Sequence, residues 1–101
     1  MATERLEIPT TEKGLMFLRK LNLEEIAEIR SWRKNGPDTL PETLSILFKD
    51  GYCIEITYAF ATGYQGTGPS GLYDFLTHDM HVSKDKAELV FKDEYVKLWR
   101  F

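Results

Sequence analysis

The sequence predicts an α+β domain: a four-stranded, mainly antiparallel sheet of two β-hairpins with two or three helices packed on it, in the order α-β-β-α-β-β. Segments with helical spacing alternate along the chain with pairs of strand-like segments, and this alternation indicates the class. An Asp-Gly pair between two apolar runs is typical of a hairpin turn. The length of 101 residues fits a single domain over residues 1–101.

Composition excludes several classes of function. With 43% hydrophobic residues the chain can build a core without a metal, and its one cysteine, Cys53, cannot form an internal disulfide. The N-terminus lacks the apolar segment of a signal peptide, and no run approaches the roughly 18 apolar residues of a membrane span. We therefore expect a cytoplasmic protein without membrane contact. The net charge of −3 argues against general nucleic-acid binding, which depends on a basic surplus.

The N-terminal segment gives a mixed signal. Residues 6–9 resemble a short edge strand that ends at Pro9. Residues 10–21 fit neither the helical nor the strand period, and Gly14 disfavours a helix. We therefore predict a helix for residues 10–21, and a strand stays open as the alternative.

Residues 22–35 give the clearest helical signal. Asn22 is a good N-cap, Glu25 can complete a capping box, and Gly36-Pro37 supply a stop. The start of this segment resembles the first helix of a helix-turn-helix unit, but no recognition helix follows, so we expect an ordinary amphipathic helix. Its apolar stripe consists of Leu23, Ile26 and Ile29.

Residues 44–58 predict a central hairpin around Asp50-Gly51. A two-residue type I′ turn there sets the register of the two strands, and it leaves both faces of the hairpin largely apolar. Cys53 is then expected to be a buried, inert thiol. The predicted opposite pairs are Lys49 with Tyr52, Leu47 with Ile54, and Ser45 with Ile56.

The C-terminal half predicts one more helix and a second hairpin. The helix covers 69–78, with Pro69 at its first position. Residues 88–91 and 95–101 are rich in β-branched and aromatic side chains and are predicted to be the two strands. The apolar stripe of the helix consists of Leu72, Phe75, Leu76 and Met80.

A glycine-rich segment is the most informative motif. It reads G-x-G-x-x-G from Gly66 to Gly71, follows an apolar strand and precedes a helix, so its backbone N–H groups could hold a phosphate or carboxylate. The alternative is a purely structural connection that needs glycine for its conformation. No Lys-Ser or Lys-Thr follows, which excludes a Walker-type loop. The predicted ligand-binding residues are Gly63, Tyr64, Gln65, Gly66, Thr67, Gly68, Ser70 and Gly71.

Evidence for catalysis or metal binding is weak. Asp74, His78 and His81 could form a metal triad, but solvated side chains at a helix end explain them as well. Glu55 could act as a general acid or base if it were buried. We assign no catalytic residue, no metal site and no cofactor, and a small enzyme using His78, His81 or Glu55 is the least favoured hypothesis.

The C-terminal run has the character of an interface. Residues 95–101 alternate apolar and basic side chains, and an edge strand of this kind invites pairing with a protein partner or a second copy. The predicted interface residues are Tyr95, Lys97, Trp99, Arg100 and Phe101.

Two functions therefore follow from the sequence. The first is a small non-enzymatic binding protein that senses or sequesters an anionic small ligand, such as a nucleotide, at residues 63–71. The alternative is a regulatory or inhibitory protein-interaction module that uses the aromatic C-terminal strand and the acidic surface, with a structural glycine segment.

Overall fold

The computed structural model describes residues 3–32, 43–60, 66–92 and 95–99. Five strands and four helices lie within these ranges. The strands are β1 (Thr3–Glu7), β2 (Ile26–Trp32), β3 (Thr43–Phe48), β4 (Cys53–Thr57) and β5 (Tyr95–Trp99). The helices are α1 (Thr11–Leu18), α2 (Thr67–Asp74), α3 (Lys84–Ala87) and α4 (Leu89–Lys92). A 3-10 turn, Leu23–Glu25, precedes β2, and a π-helical turn, Phe75–Asp79, continues α2.

The strands form one mixed sheet in the order β1-β4-β3-β2-β5. β1 runs parallel to β4, whereas the β4–β3, β3–β2 and β2–β5 pairs are antiparallel. The α+β class is therefore confirmed, but the sheet is mixed rather than built from two hairpins. β1 and β5 lie at its two edges.

The helix predicted over residues 22–35 is wrong, because its described part contains β2, which lies inside the sheet between β3 and β5. Asn22 makes no side-chain capping bond and starts only the 3-10 turn. A bulge between Ile26 and Glu28 inserts one extra residue into the strand, so Ile26 and Ile29 both face the core although they are three residues apart. This spacing imitates the period of a helix.

The second predicted hairpin is also wrong. The segment 88–91 lies in the α3–α4 region, and β5 pairs with β2 instead. Ser83 caps α3 by accepting a hydrogen bond from the Lys86 amide. Ala87 and Val90 are buried while Leu89 is exposed, which is helical spacing hidden by a strand-like composition.

The central hairpin is confirmed, but its register differs by one residue from the prediction. Its turn has three residues, with Phe48 and Tyr52 joined across it by a backbone bond, and Gly51 adopts a positive φ of 92°. Ile46 therefore lies opposite Ile54, whereas the predicted register placed Leu47 opposite Ile54. As a result, one face of the hairpin is apolar and belongs to the core, whereas the other is mixed and carries Thr43, Ser45, Leu47, Cys53, Glu55 and Thr57.

Residues 11–18 form a helix, which settles the open question for that part of the chain. Thr10 caps α1 by accepting a hydrogen bond from the Lys13 amide. Gly14 is required by close packing, because a Cβ there would lie 2.7 Å from the Phe60 ring and 2.8 Å from Ala59.

The core lies between the helices and one face of the sheet. The predicted helix 69–78 is confirmed, although it begins earlier, at Thr67, and its predicted apolar stripe is buried. The fully buried members of the core include Leu18, Ile26, Leu44, Ile46, Ile56, Phe60, Leu72, Phe75, Leu76, Ala87 and Val90. Among the residues that the structure describes, no helix combines the length and apolarity needed to cross a membrane.

Candidate functional site

The glycine-rich segment is partly described, since Gly63, Tyr64 and Gln65 lie outside the described residues. Gly71 is buried where α2 crosses α1, and a Cβ on it would lie 2.4 Å from the Cγ2 atom of Thr11. Only glycine allows the two helices to approach this closely. Helix packing therefore accounts for the last glycine of the motif.

The start of α2 offers few groups to an anion. Pro69 has no N–H, and the Ser70 amide donates to the carbonyl oxygen of Gly66 at 3.0 Å. Gly68 and Pro69 are buried, whereas Thr67 is exposed. An anion would thus depend on the amides of residues 66–68, and Gly66 provides no side-chain cap that would compete for them.

The three weak metal candidates lie near the end of the same helix. The Nδ1 atom of His78 lies 3.2 Å from the carbonyl oxygen of Asp74 and 3.3 Å from the hydroxyl of Thr77. His81 is exposed in a left-handed conformation with φ of 57°. Within the described ranges, no three His, Cys, Asp or Glu side chains are grouped so that they could hold a metal ion.

Glu55 lies on the face of the hairpin opposite the core, in register with Ser45. Its carboxylate accepts a hydrogen bond from the Arg5 guanidinium at 3.3 Å, and its side chain is 12% exposed. Cys53, which was predicted to be buried, is only half-buried, and its Sγ atom lies 3.4 Å from the Ser45 hydroxyl. An ion pair between strands is thus the role that the geometry gives Glu55.

The predicted interface strand occupies an edge of the sheet. Of residues 95–101, the structure describes 95–99 as β5, while Arg100 and Phe101 lie outside the described residues. Among the described strands, β5 pairs with β2 alone. An edge strand keeps one row of backbone N–H and C=O groups for pairing with another chain.

A row of charged and polar residues crosses the whole sheet and was not predicted. The strand registers place one residue from each strand in line, on the face opposite the core. We call this set the charged row; from β1 to β5 it consists of Arg5, Glu55, Ser45, Arg30 and Lys97.

The two ends of the charged row differ in their electrostatics. At the β1 end, Arg5 lies opposite an acid, Glu55. At the β5 end, Lys97 lies opposite another base, Arg30, which forms an ion pair with Glu28 of its own strand. Like charges directly opposite each other destabilise a strand pair.

Sequence reasoning missed the charged row for a physical reason. The row exists only through strand register, and the strand that contributes Arg30 was predicted to be a helix. The alternation of Glu28, Arg30 and Trp32 with Ile29 and Ser31 was the one available signal, because it is typical of a strand in a sheet.

In comparisons with known proteins, no protein-family model, no curated protein and no solved structure matches the chain.

Proposed function

We propose that this protein is a protein-interaction module that binds an extended segment of a partner along the outer edge of β5. The position of β5 at the edge of the sheet, paired among the described strands with β2 alone, carries this proposal. Adding a strand to an open edge is a common mode of peptide recognition, because backbone hydrogen bonds supply affinity without a deep pocket.

The composition of β5 supports this mode of binding. It reads Tyr-Val-Lys-Leu-Trp, which favours extended pairing and has a single charge. Natural sheets protect an edge that must stay unpaired with charges, prolines or bulges. β1 follows that rule, since three of its five residues, Glu4, Arg5 and Glu7, are charged and exposed.

The experiment is a selection from a display library of short random peptides on the immobilised protein. Selected peptides should slow hydrogen exchange at those β5 amides that exchange rapidly in the free protein, and should leave the amides of β1 unchanged. A library that yields no enriched peptide, or protection confined to another element, would overturn the proposal.

A second function, anion binding at the start of α2, is favoured by one observation. Gly66 caps α2 without a side-chain bond, and the first turn holds no acidic residue, so the positive end of the helix dipole keeps its charge. This hypothesis predicts thermal stabilisation by nucleotides, sugar phosphates or carboxylates.

A ligand at 100 times its Kd should add about 2.7 kcal/mol to the free energy of unfolding. Thr67→Glu tests the site, because an exposed acid at the first helical position keeps the fold and repels an anion. If the shift is equal in wild type and variant, the ligand binds elsewhere. If no ligand of these classes shifts the unfolding midpoint, anion binding is excluded as the function.

A further inference from the structure

We infer that the segment recognised by β5 is acidic, with an Asp or Glu placed directly opposite Lys97. This inference rests on the proposed function, because it names the chemistry of the strand added at that edge. The register of the sheet carries it. Lys97 is the last position of the charged row, so a strand added to β5 would continue that row by one residue.

Charge balance along the row selects the sign of the added residue. From the β1 end, the row holds a base, an acid, a hydroxyl and then two bases at adjacent register positions, Arg30 and Lys97. Glu28 forms an ion pair with Arg30, and its own side chain is only 4% exposed. The register places a base, Lys97, at the end of the row, and an acid opposite it on an added strand would restore the alternation of charge.

The same reasoning disfavours a second copy as the occupant. Lys97 is the middle residue of the five in β5. A symmetric antiparallel pair of two β5 strands, joined over their full length, would centre on Lys97 and bring two bases together. Such a pair costs stability, whereas an acidic partner gains it.

The net charge of the protein sharpens this recognition. At −3, the molecule as a whole repels an acidic segment, so attraction would be confined to the basic end of the row. Acidic segments would then bind in one place and one register rather than adhering to the surface.

The decisive experiment compares the charge of the peptides selected by two forms of the protein. Wild type should enrich peptides with Asp or Glu at one central position. Lys97→Glu should lose that enrichment and favour Lys or Arg at the same position. For a peptide selected on wild type, Lys97→Glu should raise Kd by on the order of tenfold, since an attractive cross-strand pair becomes a repulsive one.

Lys13→Glu is the matched control, because it makes the same charge change at an exposed position of α1. It should leave both the selected sequences and Kd unchanged. Raising the salt concentration should weaken wild-type binding of the selected acidic peptide, because salt screens the attraction between its acid and Lys97.

Each outcome separates the inference from the proposed function. Enrichment of neutral or basic peptides that still protect β5 would overturn the acidic partner and keep strand addition. Absence of enrichment would overturn strand addition itself. A concentration-dependent dimer that protects β5 would make the occupant a second copy and overturn the acidic segment.

Discussion

The two edges of the sheet are built in opposite ways. At β1 two of the three charges are joined to neighbours: Arg5 pairs with Glu55 at 3.3 Å, and Glu4 accepts a hydrogen bond from the Tyr52 hydroxyl at 2.8 Å. At β5 the single charge, Lys97, lies in register with another base. The register thus places an opposite charge beside the edge residue at β1 and a like charge beside it at β5, and the proposal of strand addition at β5 rests on that difference.

The largest loss of stability is expected from a substitution at Gly71. The proposal that the protein binds a partner at β5 assumes that the glycine-rich segment serves helix packing, and this substitution tests that assumption. Gly71→Ala would set a methyl 2.4 Å from Thr11 Cγ2, and overpacking of this kind lowers the free energy of unfolding by about 1–3 kcal/mol. Denaturant unfolding measures the loss.

Thr11→Ser provides the matched rescue. It removes the crowding methyl and keeps the hydroxyl that donates to the Ala59 carbonyl oxygen at 2.7 Å. Together with Gly71→Ala it should recover most of the lost stability. An unchanged stability in Gly71→Ala alone would refute the packing role and return weight to the glycine-rich segment as a ligand site.

The next prediction compares the stability lost when each of two acids, Glu28 or Glu55, no longer pairs with a base of the charged row. Glu28→Gln should lower the free energy of unfolding by about 1–2 kcal/mol, because it removes the charge of the buried carboxylate that pairs with Arg30 of the same strand, while Arg30 stays in register with Lys97. Glu55→Gln should cost less, since the Arg5 side chain that it leaves behind is 57% exposed and solvated.

A double variant isolates the like-charge pair. Adding Lys97→Gln to Glu28→Gln should recover part of the loss, and more than Lys97→Gln contributes to the wild type. Equal effects of Lys97→Gln in both backgrounds, measured by chemical unfolding, would show that the two bases do not interact.

Charge reversals at the two edges should change stability in opposite directions. Lys97→Glu places an acid opposite Arg30 and should raise the free energy of unfolding by about 0.5 kcal/mol. Arg5→Glu places an acid opposite Glu55 and should lower it by a similar amount, about 0.5 kcal/mol. Thermal unfolding at low salt gives the sign of each change, and the same sign at both edges would contradict the contrast.

How far the fold was predictable depended on whether local pattern or register decided each element. The α+β class, the Asp50-Gly51 hairpin and the buried stripe of α2 follow from local signals and were predicted. β2 was not predicted as a strand, because its bulge gives Ile26 and Ile29 helical spacing. The helical region around residues 88–91 was not predicted as a helix, because a strand-like composition concealed the helical spacing of Ala87 and Val90.

The candidate site divides along the same line. The edge strand of the proposed interface could be predicted from composition, and residues 95–99 do form an edge strand. The charged row does not follow from composition, since each of its members comes from a different strand. A register shift of one residue in the hairpin was enough to place Ser45 opposite Ile56 in the prediction, when its partner is Glu55.

The smallest expected effect is a change in the pKa of Tyr52, which reports on the hydrogen bond between Glu4 of β1 and the hairpin turn. The hydrogen bond from its hydroxyl to Glu4, followed by burial and by the charge of Glu4, raises the pKa of Tyr52 above its ordinary value. Glu4→Gln should return the pKa of Tyr52 towards that value. The phenolate signal of Tyr52, followed by absorbance or by ring resonances, measures the change.

The sign of the linked stability effect follows from the direction of that shift. Since the pKa of Tyr52 is higher in the folded than in the unfolded chain, its bond to Glu4 stabilises the fold fully below the unfolded pKa. That contribution is lost as the pH rises through the folded pKa, so wild type and Glu4→Gln should converge in stability at alkaline pH. A Tyr52 pKa unchanged by Glu4→Gln would mean that the acid does not hold β1 to the hairpin turn. The Arg5–Glu55 pair would then be the charged contact that distinguishes the β1 edge, and its contrast with β5 would rest on the charged row alone.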